Sequence, residues 1–176
     1  MRQLLLVVFS GLFLFSCTPD KTADLQKRLE TLDREIGGAN VTDSAKAEEF
    51  IRTAEEMAGL VQKTNPDQYA DLLLKAAGLA KTIGDPQKAV DLYSRIAEGM
   101  PQHSKAPTAL FMLGFVYEND LGDLAKAKST YEACLQKYPD DPDFADDAQT
   151  ALKMLGKTPE EIIREFEQQR DSVPQQ

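Results

Sequence analysis

One stretch of this chain repeats itself at a fixed distance. Gly84-Asp85, Ala89, Tyr93 and Pro101 recur as Gly122-Asp123, Ala127, Tyr131 and Pro139, every member displaced by 38 residues. Such an echo means a unit of supersecondary structure stacked on a copy of itself, because one unit cannot bury its apolar face alone. The prolines indicate what the unit is made of. Pro66, Pro86, Pro101, Pro107, Pro139, Pro142 and Pro159 punctuate the chain, and since Pro costs about 3 kcal/mol inside a helix, it belongs in first turns and connections. Asp85-Pro86 and Thr158-Pro159 read as an N-cap followed by Pro at the first helical position, and Glu161 completes a capping box with Thr158.

The stretches between these marks carry apolar residues at helical spacing, as in Phe50, Ala54, Met57 and Val61, or Leu110, Leu113, Val116 and Tyr117. The pattern predicts helices near 22–36, 43–63, 67–82, 86–98, 106–119, 123–137, 143–155 and 159–170. There is no alternating β-branched run and no Asn-Gly hairpin signal, so the expected fold is all-α. Short connections make consecutive helices antiparallel neighbours.

In the second unit Leu113, Gly114 and Tyr117 precede Gly122, Asp123, Ala127, Tyr131 and Pro139. This order resembles the tetratricopeptide repeat: Leu-Gly-x-x-Tyr in helix A, Gly-Asp in the turn, small and aromatic residues in helix B, then a closing Pro. One extra residue stands before Gly122. The first unit departs in helix A, where Ala76, Ala77 and Ala80 occupy the Leu, Gly and Tyr positions. Upstream, 43–66 looks like a lone B helix; downstream, 143–155 and 159–170 look like a degenerate pair whose last helix gathers Ile162, Ile163 and Phe166 on one side. The resemblance implies a short solenoid over 43–170 with helix A residues lining a concave groove; the remaining residues 171–176 are expected to be a disordered tail.

The groove positions of the family fall on Leu74, Gly78, Thr108, Phe111, Phe115 and Glu118. The Lys and Asn with which some members grip a peptide carboxylate are missing there, so that variant is rejected. Phe111, Phe115 and Glu118 form one stripe at i, i+4 and i+7. Either both rings pack against 143–155, as aromatic stripes usually do, or they stand exposed and grip an apolar or helical segment of a partner.

The N-terminus has a different character. Arg2 is followed by an apolar run to Phe15, then Ser16-Cys17 and the polar Thr18-Pro19-Asp20-Lys21. That layout is a secretory leader, too short for a spanning helix of ~20 residues. Leu14-Phe15-Ser16-Cys17 also resembles the bacterial lipobox, which implies cleavage after residue 16, acyl chains on Cys17 and export from the cytoplasm. Cys17 falls where the apolar run stops, which favours this over an ordinary leader. Thr18 in place of Asp favours the outer membrane, facing the periplasm. Residues 17–42 would then be a tether with a short amphipathic helix. Leu25, Leu29, Leu32 and Ile36 follow coiled-coil spacing for under two heptads, so this helix either packs on the solenoid or, on weaker grounds, drives self-association.

Charge and side-chain inventory remove most other functions. Twenty basic against 29 acidic residues give −9, with no Lys/Arg cluster to displace counterions from phosphates, so nucleic acid is not an expected partner. One His and two Cys are too few for a zinc site. The acidic run Asp140, Asp141, Asp143, Asp146, Asp147 lacks the Gly and Glu of a calcium loop and reads as helix-start chemistry. Cys134 reads as a packing residue and His103 as a surface-loop histidine. No nucleophile–base pair, phosphate loop or cofactor motif is present, so no catalytic residue, metal or cofactor is expected.

These readings predict a lipid-anchored scaffold that binds other envelope proteins. Ser104-x-Ala106-Pro107-x-Ala109-Leu110 and Tyr138-Pro139-Asp140-Asp141 resemble repeats of the Tol–Pal coordinator and of the lipoprotein in the outer-membrane β-barrel assembly machinery. A self-associating structural tether is the alternative.

Overall fold

The computed structural model describes residues 21–37 and 43–171. The leader, Cys17 and the last five residues lie outside the described residues. Eight helices and no strand occur among those described. They are α1 (Lys21–Gly37), α2 (Ser44–Val61), α3 (Pro66–Thr82), α4 (Pro86–Ala97), α5 (Ala106–Asn119), α6 (Leu124–Lys137), α7 (Ala145–Met154) and α8 (Pro159–Asp171). The all-α expectation holds, and each helix lies within a few residues of its predicted span.

Caps set the boundaries. Asp43, Asn65, Asp85 and Asp123 accept the backbone N–H of Lys46, Gln68, Lys88 and Lys126 at 3.0–3.2 Å, satisfying one orphan donor at each start. At α8 the capping box closes in both directions: the Glu161 N–H donates to Thr158 Oγ1 (3.2 Å) and the Thr158 N–H to Glu161 Oε2 (2.8 Å). Gly84 and Gly122 stand at φ +82° and +64°, beyond the ends of α3 and α5. A left-handed residue there turns the chain into the next helix, and only Gly adopts it without strain.

Each helix from α1 to α7 packs mainly on its sequence neighbours. Side-chain contacts between non-neighbours sort the helices into two layers. In one, Gln68 of α3 donates to Gln26 of α1 (3.1 Å), Lys75 pairs with Asp33, and Lys81 of α3 lies over the Phe115 ring of α5. In the other, Glu55 of α2 is held between Lys88 and Arg95 of α4 at 3.3 and 3.1 Å. Odd helices meet odd and even meet even, the arrangement stacked hairpins produce.

The core runs between the layers. Ala76, Ala77 and Ala80 of α3, Ala89 and Leu92 of α4, Ala109 and Val116 of α5, and Ala127, Tyr131 and Cys134 of α6 are fully buried. Small residues let the helices approach while Tyr93 and Tyr131 fill the grooves. Gly114 marks the tightest approach: a Cβ there would stand 2.6 Å from Cε1 of Tyr131.

Three expectations need correction. Residues 43–66 are not a lone B helix, because α1 packs along α2 as its partner. Leu29 and Leu32 are buried in that pair, with Leu25 and Ile36 packed beside them, so the heptad-like seam is consumed within the chain rather than left for self-association. Of the pair expected at the C-terminal end, α7 packs on α6, whereas among the described residues α8 shows no comparable packing on another helix. Of its described apolar side chains, Ile162 is half-buried and Ile163 is 58 % exposed. Finally, His103 is not a free loop side chain. It is 11 % exposed, its Nε2 lies 3.0 Å from Asp67 Oδ1, and its Nδ1 accepts the Lys105 N–H at 3.1 Å. That bond leaves Nδ1 unprotonated and makes Nε2–H the donor, so the ring pins the connection before α5 to the start of α3.

Candidate partner groove

The repeat-defining residues take the places their pattern demands. Asp85 and Asp123 are caps, Gly84 and Gly122 turn the chain, Ala89 and Ala127 are buried, and Pro101 and Pro139 lie in the exposed connections. Leu113 and Gly114 are buried, and half-buried Tyr117 has Lys126 Nζ 5.2 Å above its ring. Tyr131 lies across Gly114 and donates its hydroxyl hydrogen to Glu118 Oε2 at 2.8 Å. Burial and this carboxylate push the Tyr131 phenol well above its usual range. Tyr138, next to Pro139, reaches back one unit and donates to the carbonyl of Pro101 at 2.8 Å.

The six groove candidates all sit on odd helices. Leu74 and Gly78 of α3 are half-buried, and the space where a Gly78 Cβ would go is open. Thr108, Phe111, Phe115 and Glu118 of α5 are half-buried as well. The two Phe rings have different surroundings. Phe111 is ringed in, its centroid 5.6 Å from Tyr131 and 5.3 Å from Phe144, the residue before α7. Phe115 instead lies under Lys81 Nζ at 5.0 Å, and Lys81 also pairs with Asp120 at 3.8 Å. A desolvated cation over a ring contributes more than one at an open surface. Glu118 is occupied by Tyr131, so it acts as a buttress of the core.

Sequence reasoning missed a second part of the same face. Between α1 and α3 runs a cleft of about 460 Å³ lined by Gln26, Glu30, Asp33, Gln68, Asp71 and Lys75 over Leu29, Phe50 and Leu72. A signal was available. Asp-x-x-Lys-Ala occurs at 43–47 as well as at 85–89 and 123–127, and Ala47 is buried as Ala89 and Ala127 are. This marks α1–α2 as a further unit and hence α1 as a groove-side helix.

The remaining candidates are structural. Cys134 is fully buried, and burial with nearby Asp141 pushes its thiol up to about 11. Asp141 Oδ1 accepts the N–H groups of Phe144 (2.9 Å) and Asp143 (3.2 Å), while Asp146 and Asp147 lie in the first turn of α7, where the helix dipole favours negative charge. Among the described residues no three ligating side chains gather into a metal site, and no helix is long and apolar enough to cross a membrane.

With this geometry in place, comparison with known families is specific. Residues 108–141, which span α5 and α6, match the tetratricopeptide repeat family. The chain thus carries a tetratricopeptide repeat inside an all-α stack of helical hairpins, the class of module through which proteins bind other proteins. No curated protein matches the chain.

Proposed function

We propose that this protein is a non-catalytic adaptor, held on the bacterial envelope by acyl chains on Cys17 and binding envelope proteins along its odd-helix face. The observation that carries the reading is the segregation of the layers. The even helices α2 and α4 are joined by Glu55, Lys88 and Arg95, while the odd helices α3 and α5 carry half-buried Leu74, Thr108 and Phe115. Half-buried apolar groups beside polar ones are what partner anchors settle into. The tether is supported by the apolar leader ending at Cys17. Two or three chains at ~0.8 kcal/mol per buried CH₂ hold a protein firmly without a spanning helix. An outer-membrane address facing the periplasm, and a place beside the Tol–Pal or β-barrel assembly machinery, follow from the same resemblances.

Two measurements test this. Mass spectrometry of the protein from bacterial membranes should find an acylated N-terminal Cys17, lost in Cys17→Ser; an intact leader would end the anchor reading. A photo-crosslinking residue at Gly78 or Phe115 should capture discrete envelope proteins in cells, whereas one at Glu132 on α6 should not. Equal capture from both layers would remove the groove.

A further inference from the structure

We infer that the cleft between α1 and α3 is a cation-accepting subsite, and that the partner segment carries Lys or Arg side chains there; this deepens the adaptor reading and rests on it. Three carboxylates, Glu30, Asp33 and Asp71, face the cleft, and Lys75 is the one cation among its lining residues. Lys75 pairs with Asp33, both nearly half exposed, and Lys105 reaches Asp71 from outside at 3.1 Å. Glu30 accepts from the neutral amide of Gln26 at 3.0 Å. With Asp33 and Asp71 each held by one lysine, Glu30 keeps the rim's one carboxylate charge outside these pairs.

The floor is apolar, from Leu29, Phe50 and Leu72. Lys75 shows how a cation sits there, its ammonium 5.3 Å from the Phe50 centroid and on Asp33. A partner Lys or Arg would lay its methylene stem on the floor and its head on Glu30, with Asp71 shared with Lys105 beside it, as long basic side chains do on apolar surface beside carboxylates. A second copy of this acidic chain or an acidic peptide would be repelled.

The probes are three fluorescein-labelled amphipathic peptides that share their apolar positions and carry Lys, Gln or Glu at the polar ones. They are titrated against the full chain in detergent. The Lys peptide should bind best and weaken as ionic strength rises from about 0.05 to about 0.3 M. Glu30→Gln with Asp71→Asn should weaken it about three- to tenfold, as expected for two exposed charge pairs, with the melting curve unchanged. Glu48→Gln with Glu132→Gln, the same charge change on even helices, should leave it unaltered. Equal loss in both double variants, or Lys and Gln peptides binding alike, would overturn the assignment while the adaptor reading stands. Preference for the Glu peptide, or failure of all three to bind, would overturn it too. The adaptor reading itself is judged separately by crosslinking in cells.

Discussion

Gly114 offers the most demanding test of the stacking geometry. A Cβ built there would lie 2.6 Å from Cε1 and 2.7 Å from Cδ1 of Tyr131, against an ordinary carbon–carbon separation of about 3.5–4.0 Å. The ring must retreat by roughly 1 Å, and it is boxed in by Phe111 at 5.6 Å and by its bond to Glu118. Over-packing of this kind costs about 1–3 kcal/mol. Replacing Gly by Ala inside a helix returns up to about 1 kcal/mol. Gly114→Ala should therefore be less stable by about 0.5–2 kcal/mol, lowering Tm by about 2–6 °C in thermal melts followed by circular dichroism. Gly114→Leu should lie at the upper end of the over-packing range. Gly78→Ala is the control, since its Cβ meets open space, and it should raise Tm through helix propensity alone. Tyr131→Leu in the Gly114→Ala background should relieve the clash and show coupling between the two sites. A Gly114→Ala protein melting at or above the parent, or moving with Gly78→Ala, would refute the close contact.

Caps and titrating groups carry further predictions. Asp85→Ala should remove the bond to the Lys88 N–H and cost about 1 kcal/mol, whereas Asp85→Asn, which still accepts, should melt near the parent. At Asp123 the Lys126 N–H and then its side chain hold the carboxyl below the usual range. A folded-state value below the unfolded one gives stability that is present above the unfolded pKa and lost as pH falls through the folded one, so Asp123→Asn should flatten the acid limb of the stability curve. At the alkaline limb burial raises Cys134 to about 11 and Tyr93 to about 12. Raised groups give stability that is full below the unfolded values, 9.0 and 10.0, and lost as pH climbs through the folded ones. In a Cys17→Ser background the native chain should resist thiol reagents at neutral pH and react once unfolded; rapid labelling of the native state would contradict the burial of Cys134.

Most of the helical layout was legible because its signals are local. Pro at first turns and Asp or Asn caps act within four residues, so Asp85-Pro86 and Thr158-Pro159-Glu160-Glu161 announced their helices without tertiary context. The α1–α2 unit was harder to see. Its Asp-x-x-Lys-Ala copy stands 42 residues before the next rather than 38, because α2 and α3, with 18 and 17 residues, are longer than α4 and α5, with 12 and 14, a gain partly offset by the shorter connection at 62–65 than at 98–105. A search at one fixed period passes over it. The six groove candidates fall on α3 and α5, as their register predicts, but their surroundings depend on distant partners. Phe111 meets Phe144 from the connection before α7, and Phe115 meets Lys81 from α3. No pattern within α5 distinguishes the two rings.

The end of the stack carries the last prediction. α7 is tied down: Ala148 is fully buried, Leu152 and Leu155 pack on the core, and Phe144 meets Phe111. α8 follows a left-handed Gly156 and begins with a complete capping box, yet among the described residues it shows no substantial packing on another helix. A helix of 13 residues without tertiary packing is marginal in water. Ending the chain at Thr158 should therefore leave the melting temperature within about 1 °C of the parent, since little buried area is lost. Ending it at Asp140 removes Phe144, Ala148 and Leu152 and uncovers Phe111. Losing buried Ala148 and the half-buried Phe144 and Leu152 together should lower the melting temperature clearly. Hydrogen exchange should rank the helices in the same order, with α8 opening at far lower free energy than α4 or α6. A large drop on removing α8 alone would mean that it packs on the stack in solution, completing the terminal hairpin and contradicting the half-formed pair.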